Sequence, residues 1–280
     1  MKNMLKIAAF AMAVLMLAFA FVGCGKTEPV ASTDGIAAST DAAATSADTA
    51  PATEPVSEKV YKIASDNAFK PFEYLDTATN TYIGFDMDLL AAIAEDQGFK
   101  YTVENVGFDP ALGQVQAGQA DAVIAGMTIK PDRAEVFDFS DGYFEDGQIM
   151  VVAADSAVAS LDELKGKVVA TKAATMGLEY AESVKDQYGF TTMMFESSPE
   201  MYQAVAQGTC VACFEDRSVI GAAIKDGQPL KVVGDVINPA SYGFGVKKGE
   251  NAELITMFNK GLANVKASGK YDEILKKYGM

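Results

Sequence analysis

A recurrence inside the chain limits its fold more than any other feature. Gln114-Val115-Gln116-Ala117-Gly118 leads into the apolar stretch Ala120-Asp121-Ala122-Val123-Ile124, and Ala204-Val205-Ala206-Gln207-Gly208 leads into Cys210-Val211-Ala212-Cys213-Phe214. In each copy a helical segment stops at glycine, the residue that most readily closes a helix in the left-handed conformation, and a short strand follows. The first strand ends at Ala125-Gly126, the second at Glu215-Asp216. Open α/β sheets bind ligands beyond the carboxyl ends of their strands. Two similar α/β lobes, each aiming a strand end at a shared cleft, would set Asp216 opposite Arg133. On spacing alone Asp216 equally suits the N-cap of a helix beginning Arg217-Ser218-Val219.

The stretch Ala120 to Arg133 carries the densest signal. Gly126 marks a place where a ligand or a second backbone approaches closely. Thr128 and Arg133, around the turn at Pro131, would bring a hydroxyl, backbone N–H groups and a guanidinium to one spot, and a guanidinium fork matches a carboxylate with two parallel hydrogen bonds. The competing reading is a surface turn whose arginine pairs with Asp132 or Glu135. A second turn, Lys172-Ala173-Ala174-Thr175-Met176, passes from strand into helix and presents free N–H groups, a natural seat for a carboxylate.

The remaining elements alternate. Strands are expected at Val60–Ala64, Tyr101–Val103, Gln148–Ala153, Lys167–Thr171, Leu230–Val233 and Tyr242–Val246, with a hairpin or irregular segment across residues 71–83. Helices are expected from Phe85 (with Leu89 and Ile93 on one stripe and Gly98 closing it), from Ala111 to Ala117 after a loop holding Phe108, from Met176 towards Val184, and along Leu254, Phe258, Leu262 and Val265. Asp86 and Asp88 are accounted for by the positive start of their helix. Asp66 and Phe69 sit where the first strand hands over to a loop, and Asp66 also fits a turn-stabilising role. Alternation of this kind places the chain in the α/β class.

At the amino terminus Lys2 and Lys6 precede an apolar run from Ile7 to Val22, then small residues and Cys24. Residues 1–23 read as a secretory signal. Phe21-Val22-Gly23-Cys24 looks like a lipobox, so Cys24 is the expected lipidation site, with phenylalanine where leucine is usual. Residues 24–57, rich in Ala, Thr, Ser, Asp and Pro, carry too little apolar surface to offset ordering entropy and read as a disordered tether. A net charge of −15 with no histidine argues against nucleic acid, and no zinc or haem ligand pattern is present. Cys210 and Cys213 have redox-motif spacing but, on a strand, point to opposite faces; both read as small core residues.

Asp66-Asn67-Ala68-Phe69, Gly84-Phe85-Asp86-Met87-Asp88, Thr128 through Arg133, and Asp138-Phe139-Ser140-Asp141-Gly142-Tyr143 together resemble the bacterial extracellular solute-binding proteins of polar amino acid ABC transporters, most closely the glutamine-binding type. The resemblance runs from about Val60 to Tyr278. It implies a two-lobed fold of the type II periplasmic-binding-protein kind, with a cleft between the lobes and a two-strand hinge near residues 142–148 and 240–244. Lobe 1 would hold residues 58–146 and 243–280, lobe 2 residues 147–242. Carried onto matching positions, Arg133 would clamp the ligand's carboxylate with the N–H groups of Thr128 and Thr175. Asp216 would hold the ammonium beside the carbonyl of Gly126, next to Ala125. Phe69 and Phe108 would sandwich the side chain, and Asp66 and Lys172 would meet its amide. The family usually has a glycine-rich turn where this chain has Ala173-Ala174-Thr175-Met176, which leaves glutamine a preference only.

The implied protein is a monomeric, lipid-anchored receptor on the outer face of the cytoplasmic membrane, periplasmic if a second membrane is present. It would capture a free amino acid by hinge closure and pass it to an ABC permease with its ATPase, touching the membrane only through its anchor. No cofactor, metal or catalytic residue is expected. Two rivals stand beside it: a secreted dehydratase-like enzyme on the same fold, and a ligand-sensing module for a membrane receptor.

Overall fold

The computed structural model describes residues 59–280. The expected signal, Cys24 and tether lie outside the described residues. In chain order the elements are β1 (Val60–Ser65), β2 (Ala68–Phe69), β3 (Glu73–Asp76), β4 (Thr81–Ile83), α1 (Phe85–Gln97), β5 (Lys100–Asn105), α2 (Phe108–Gln116), β6 (Ala122–Val123), β7 (Phe137–Phe139), β8 (Phe144–Ala153), β9 (Val168–Lys172), α3 (Met176–Tyr188), β10 (Thr191–Phe195), α4 (Ser198–Ala206), β11 (Ala212–Asp216), α5 (Arg217–Lys225), β12 (Leu230–Tyr242), β13 (Gly245–Lys247), α6 (Ala252–Ala267) and α7 (Lys270–Lys277).

Two five-stranded sheets share one plan. The first has the order β5-β1-β6-β13-β7 and the second β10-β9-β11-β8-β12. In each, three parallel strands come first and the fourth runs antiparallel to them. That fourth strand always arrives from the other half of the molecule. β8 follows β7 out of the first sheet to become the fourth strand of the second, and β13 follows β12 back to become the fourth strand of the first. The crossing segments run side by side, with Phe144 opposite Tyr242, Glu145 opposite Ser241 and Asp146 opposite Ala240. The result is the two-lobed α/β fold with a two-strand hinge that the sequence implied.

The recurrence has a direct structural meaning. α2 and α4 end just before Gly118 and Gly208, whose φ angles of 69° and 75° are left-handed, and each chain then dives into a buried third strand. The stripe of α1 and the stripe of α6 meet in one core, where Phe244 of the return segment stacks on Phe258 at 4.5 Å between ring centres. Truncating such a buried phenylalanine to alanine costs about 3–5 kcal/mol in general, so this layer fixes the return strand firmly. Cys210 and Cys213 are both buried free thiols in the core of the second lobe, and burial pushes both pKa values up.

Three expectations need correcting. Phe108 is not in a loop: it opens α2, whose N-terminal turn follows Gly107. The strand expected from Gln148 begins at Phe144. The strands expected at Leu230–Val233 and Tyr242–Val246 are instead one long strand to Tyr242 and a short β13. Gly234, at φ 78°, and two shifts of register interrupt the apolar alternation of β12 without ending its pairing with β8.

Candidate ligand cavity between the lobes

Every parallel strand near the middle of the two sheets ends at the same place. β1 delivers Asp66, the hairpin that follows delivers Phe69, and the start of α2 delivers Phe108. Beyond β6 come Ala125, Gly126 and Thr128, then Arg133 in a short 3-10 turn. From the second lobe, Lys172 is the last residue of β9, Thr175 caps α3, and Asp216 ends β11. All of these residues line one cavity, joined there by Met176, Gly177 and Glu215.

At one end Arg133 is only 7% exposed. Its Nη1 donates to the Thr128 carbonyl at 2.9 Å and its Nη2 donates across the cleft to the Ala174 carbonyl at 2.8 Å. It pairs with neither Asp132 nor Glu135; Asp132 is bonded to Lys130 instead. Among the described residues no carboxylate forms an ion pair with the guanidinium. Burial lowers its pKa, against the pull of Glu179, Asp132 and Asp216. Thr175 accepts from the Leu178 N–H and donates to the Lys172 carbonyl, which fixes the turn from β9 into α3.

Asp216 faces this end from the second lobe. It occupies the N-cap position of α5 yet makes no side-chain capping bond. Its oxygens instead accept from Gln148 Nε2 at 2.8 Å and from the Tyr242 hydroxyl at 2.6 Å. Burial, reinforced by the neighbouring charge of Glu215, raises its pKa from 3.8 to about 7. A carboxylate held so close to protonation by lack of a counter-charge is well placed to receive a cation.

The other end is organised differently. Lys172 and Asp66, 3% and 1% exposed, form a buried ion pair at 2.5 Å. The Lys172 ammonium lies 4.7 Å from the centre of the Phe69 ring and 5.8 Å from that of Phe108. Burial lowers its pKa, but Asp66 and then Glu215 outweigh that, and the net shift is upward. Arg133 also lies over Phe108, at 5.4 Å. Phe108 therefore meets the cations of both ends, and Phe69 that of Lys172.

Two backbone features shape the walls. Gly126 has φ 53°, and an added Cβ would stand 2.5 Å from the Phe69 ring, so only glycine lets the ring lie against the turn. Ala174 has φ 60°, where a glycine is the comfortable choice. The turn keeps its left-handed geometry without the glycine, and Met176 lines the cavity beside it.

Three acids lie outside the expected ligand-binding residues. Glu215 lines the cavity, with Oε2 accepting from the Tyr202 hydroxyl at 2.8 Å and Oε1 from the Asp216 N–H at 2.9 Å. Asp86, assigned to the helix start, is fully buried and accepts from the Gly126 N–H at 2.9 Å and the Tyr143 hydroxyl at 2.7 Å. Glu73 is fully buried beside it. Only Asp88 keeps a surface role, paired with Lys277. The signal that was available lay in the neighbours: an acid two residues from another cannot share its solvent-facing side on a helix.

Residues 61–280 match the model of the bacterial extracellular solute-binding proteins, family 3. A probable histidine-binding protein of Neisseria gonorrhoeae is 34% identical over 235 residues, covering 82% of this chain and 85% of that one. Substrate-binding domain 2 of GlnP from Lactococcus lactis, solved in an open conformation, is 40% identical with a TM-score of 0.57, covering 80% of this chain and 97% of the domain. An ancestral arginine-binding protein bound to glutamine is 34% identical with a TM-score of 0.73, covering 79% of this chain and 97% of that chain. The cavity between two sheets of shared plan, with the family match spanning both, shows that the chain belongs to the bacterial extracellular solute-binding proteins, family 3.

Proposed function

We propose that the protein is a receptor for a free polar amino acid, glutamine first, and not an enzyme. One observation carries this reading. The cavity holds a buried guanidinium and a partly buried carboxylate, Arg133 and Asp216, which among the described residues have only neutral hydrogen-bond partners, while its remaining cation, Lys172, is paired with Asp66 and Glu215 accepts from a hydroxyl and an N–H. A zwitterionic α-amino acid group supplies both missing counter-charges at once. The Lys172–Asp66 end suits a side chain that both donates and accepts, as an amide does, and the Lys172 ammonium opposes a cationic one.

In this reading Arg133 binds the α-carboxylate with the N–H groups of Thr128 and Thr175. Asp216 binds the ammonium with the Gly126 carbonyl, beside Ala125, and Phe69 and Phe108 flank the side chain. The lobes are residues 58–146 with 243–280, and residues 147–242, closing about the paired β8 and β12. Lys172–Asp66, Arg133 to the Ala174 carbonyl, Lys130–Glu179 and Lys70–Asp226 would all join the two lobes. Those links fit a closed form. So does the better superposition on the glutamine-bound relative than on the more identical open domain. A ligand touching both lobes stabilises closure by its differential contacts. The closed monomer, tethered through a lipid on Cys24, would then deliver its ligand to an ABC permease powered by an ATPase.

A thermal-shift screen of residues 58–280 against the twenty amino acids tests the reading. A ligand at about 100 times its Kd adds about 2.7 kcal/mol to stability. Glutamine is expected to raise the Tm most; a response to no amino acid would overturn the proposal.

A further inference from the structure

The most unusual polar group outside the cavity lies behind its Gly126 wall. Glu73 and Asp86 are both fully buried and within hydrogen-bonding reach of each other. With both ionised, three of their four carboxyl oxygens, the two of Glu73 and Oδ1 of Asp86, have no partner among the described residues. Buried polar atoms are seldom left so, and two carboxylates can bond only through a shared proton. A proton on Glu73, donated to Asp86 Oδ1, satisfies two of the three.

The proton belongs on Glu73 for a geometric reason. Asp86 Oδ2 already accepts from the Gly126 N–H and the Tyr143 hydroxyl, bonds that favour its charged form, whereas Glu73 accepts none. Burial pushes the Glu73 carboxyl well above its ordinary range, with Asp86 and then Asp66 adding to the rise and Lys172 opposing it; burial raises Asp86 only to about 6. The backbone locks the pair in place. The Phe85 and Asp86 N–H groups, at the start of α1, donate to the Pro71 and Phe72 carbonyls at 2.9 and 3.0 Å. Gly84 packs so closely that an added Cβ would stand 1.9 Å from the Phe72 oxygen.

We propose that Glu73 keeps its proton and donates it to Asp86, and that this pair holds the Gly126 turn in register, making Glu73 and Asp86 positioning residues for the ammonium end of the cavity. The functional half of this inference rests on the amino acid reading above; the protonation half does not.

Infrared spectroscopy of the ligand-free protein at about pH 8, far above the ordinary carboxyl range, reads the proton directly. The C=O stretch of a protonated carboxyl is expected in the native protein and absent in Glu73→Gln; no such band in the native protein would overturn the assignment, whatever the protein binds. Glutamine titration then reads the positioning. Glu73→Gln, whose amide still donates, should keep affinity within about threefold, while Glu73→Leu should lose about tenfold or more. A Glu73→Leu protein that melts earlier but binds glutamine as tightly as native would reduce the pair to a structural role. Should Glu73→Leu not fold, Asp86→Asn serves: its amide donates to Glu73 and should abolish or shift the band, and an unchanged band would contradict the pairing.

Discussion

The two ends of the cavity handle charge in opposite ways. At the Arg133–Asp216 end each charged group is held by neutral partners: backbone carbonyls for the guanidinium, a tyrosine hydroxyl and a glutamine amide for the carboxylate. At the Lys172–Asp66 end the charges are held by one another. On the proposed reading, the difference separates recognition of what all amino acids share from selection among their side chains: the unmatched charges of one end would draw a zwitterion, and the paired charges of the other would leave donors and acceptors for a neutral group.

The largest expected effect comes from breaking the first end. Truncating one partner of a buried, hydrogen-bonded charge pair costs about 2–5 kcal/mol, so Arg133→Ala should weaken binding of every amino acid ligand by about thirtyfold or more in calorimetric titration. Loss confined to one ligand would blur the distinction between the ends. Lys172→Met attacks the other end. It leaves Asp66 without its cation, so glutamine should weaken by about tenfold while arginine gains, and the ratio of the two affinities is the informative quantity.

Acidity should sharpen the comparison further. In the ligand-free protein Asp216 titrates at about 7, and an ammonium beside it pulls that value down, so binding below about pH 7 expels a proton. Affinity should therefore fall as pH drops below about 7, by up to about tenfold per pH unit, and level off above it. Titration in buffers of differing ionisation enthalpy counts the proton released. For the ligand-free fold the sign is reversed. A native pKa raised from 3.8 to about 7 means the folded state binds the extra proton, so the contribution of Asp216 to stability declines as pH rises across that window.

The smallest effect concerns the turn between β9 and α3. Ala174 holds a left-handed φ of 60°. Ala174→Gly should relieve about 1 kcal/mol of backbone strain, less the entropy that glycine adds to the unfolded chain. A rise in Tm of about 1–3 °C is expected, with the Asp66–Lys172 end and its selectivity unaffected.

How far the sequence could be read depended on the kind of interaction. Most strands though not β7 or β10, the echo between α2–β6 and α4–β11, and the residues at strand ends follow from local pattern, and the structure gathers the expected ligand-side residues in one cavity. Long-range pairing was harder. β12 runs on through Gly234 and Pro239 because β8 holds it, which no local signal reveals. Phe108 opens its helix although Pro110 suggests a later start. Glu73 and Asp86 were invisible as a pair because thirteen positions of chain separate them; only the fold of the hairpin onto α1 brings them together. On spacing Asp216 suited a helix cap and a cleft residue equally; its hydroxyl and amide partners come from the hinge strands, which spacing does not reveal.

The most direct test is parallel calorimetric titration of the native protein with glutamine and with arginine near neutral pH. The account predicts that glutamine binds and that arginine binds at least about tenfold more weakly, since its guanidinium would meet Lys172. Arginine binding as tightly as glutamine, or more tightly, would contradict the division of the cavity into a zwitterion end and a neutral side-chain end.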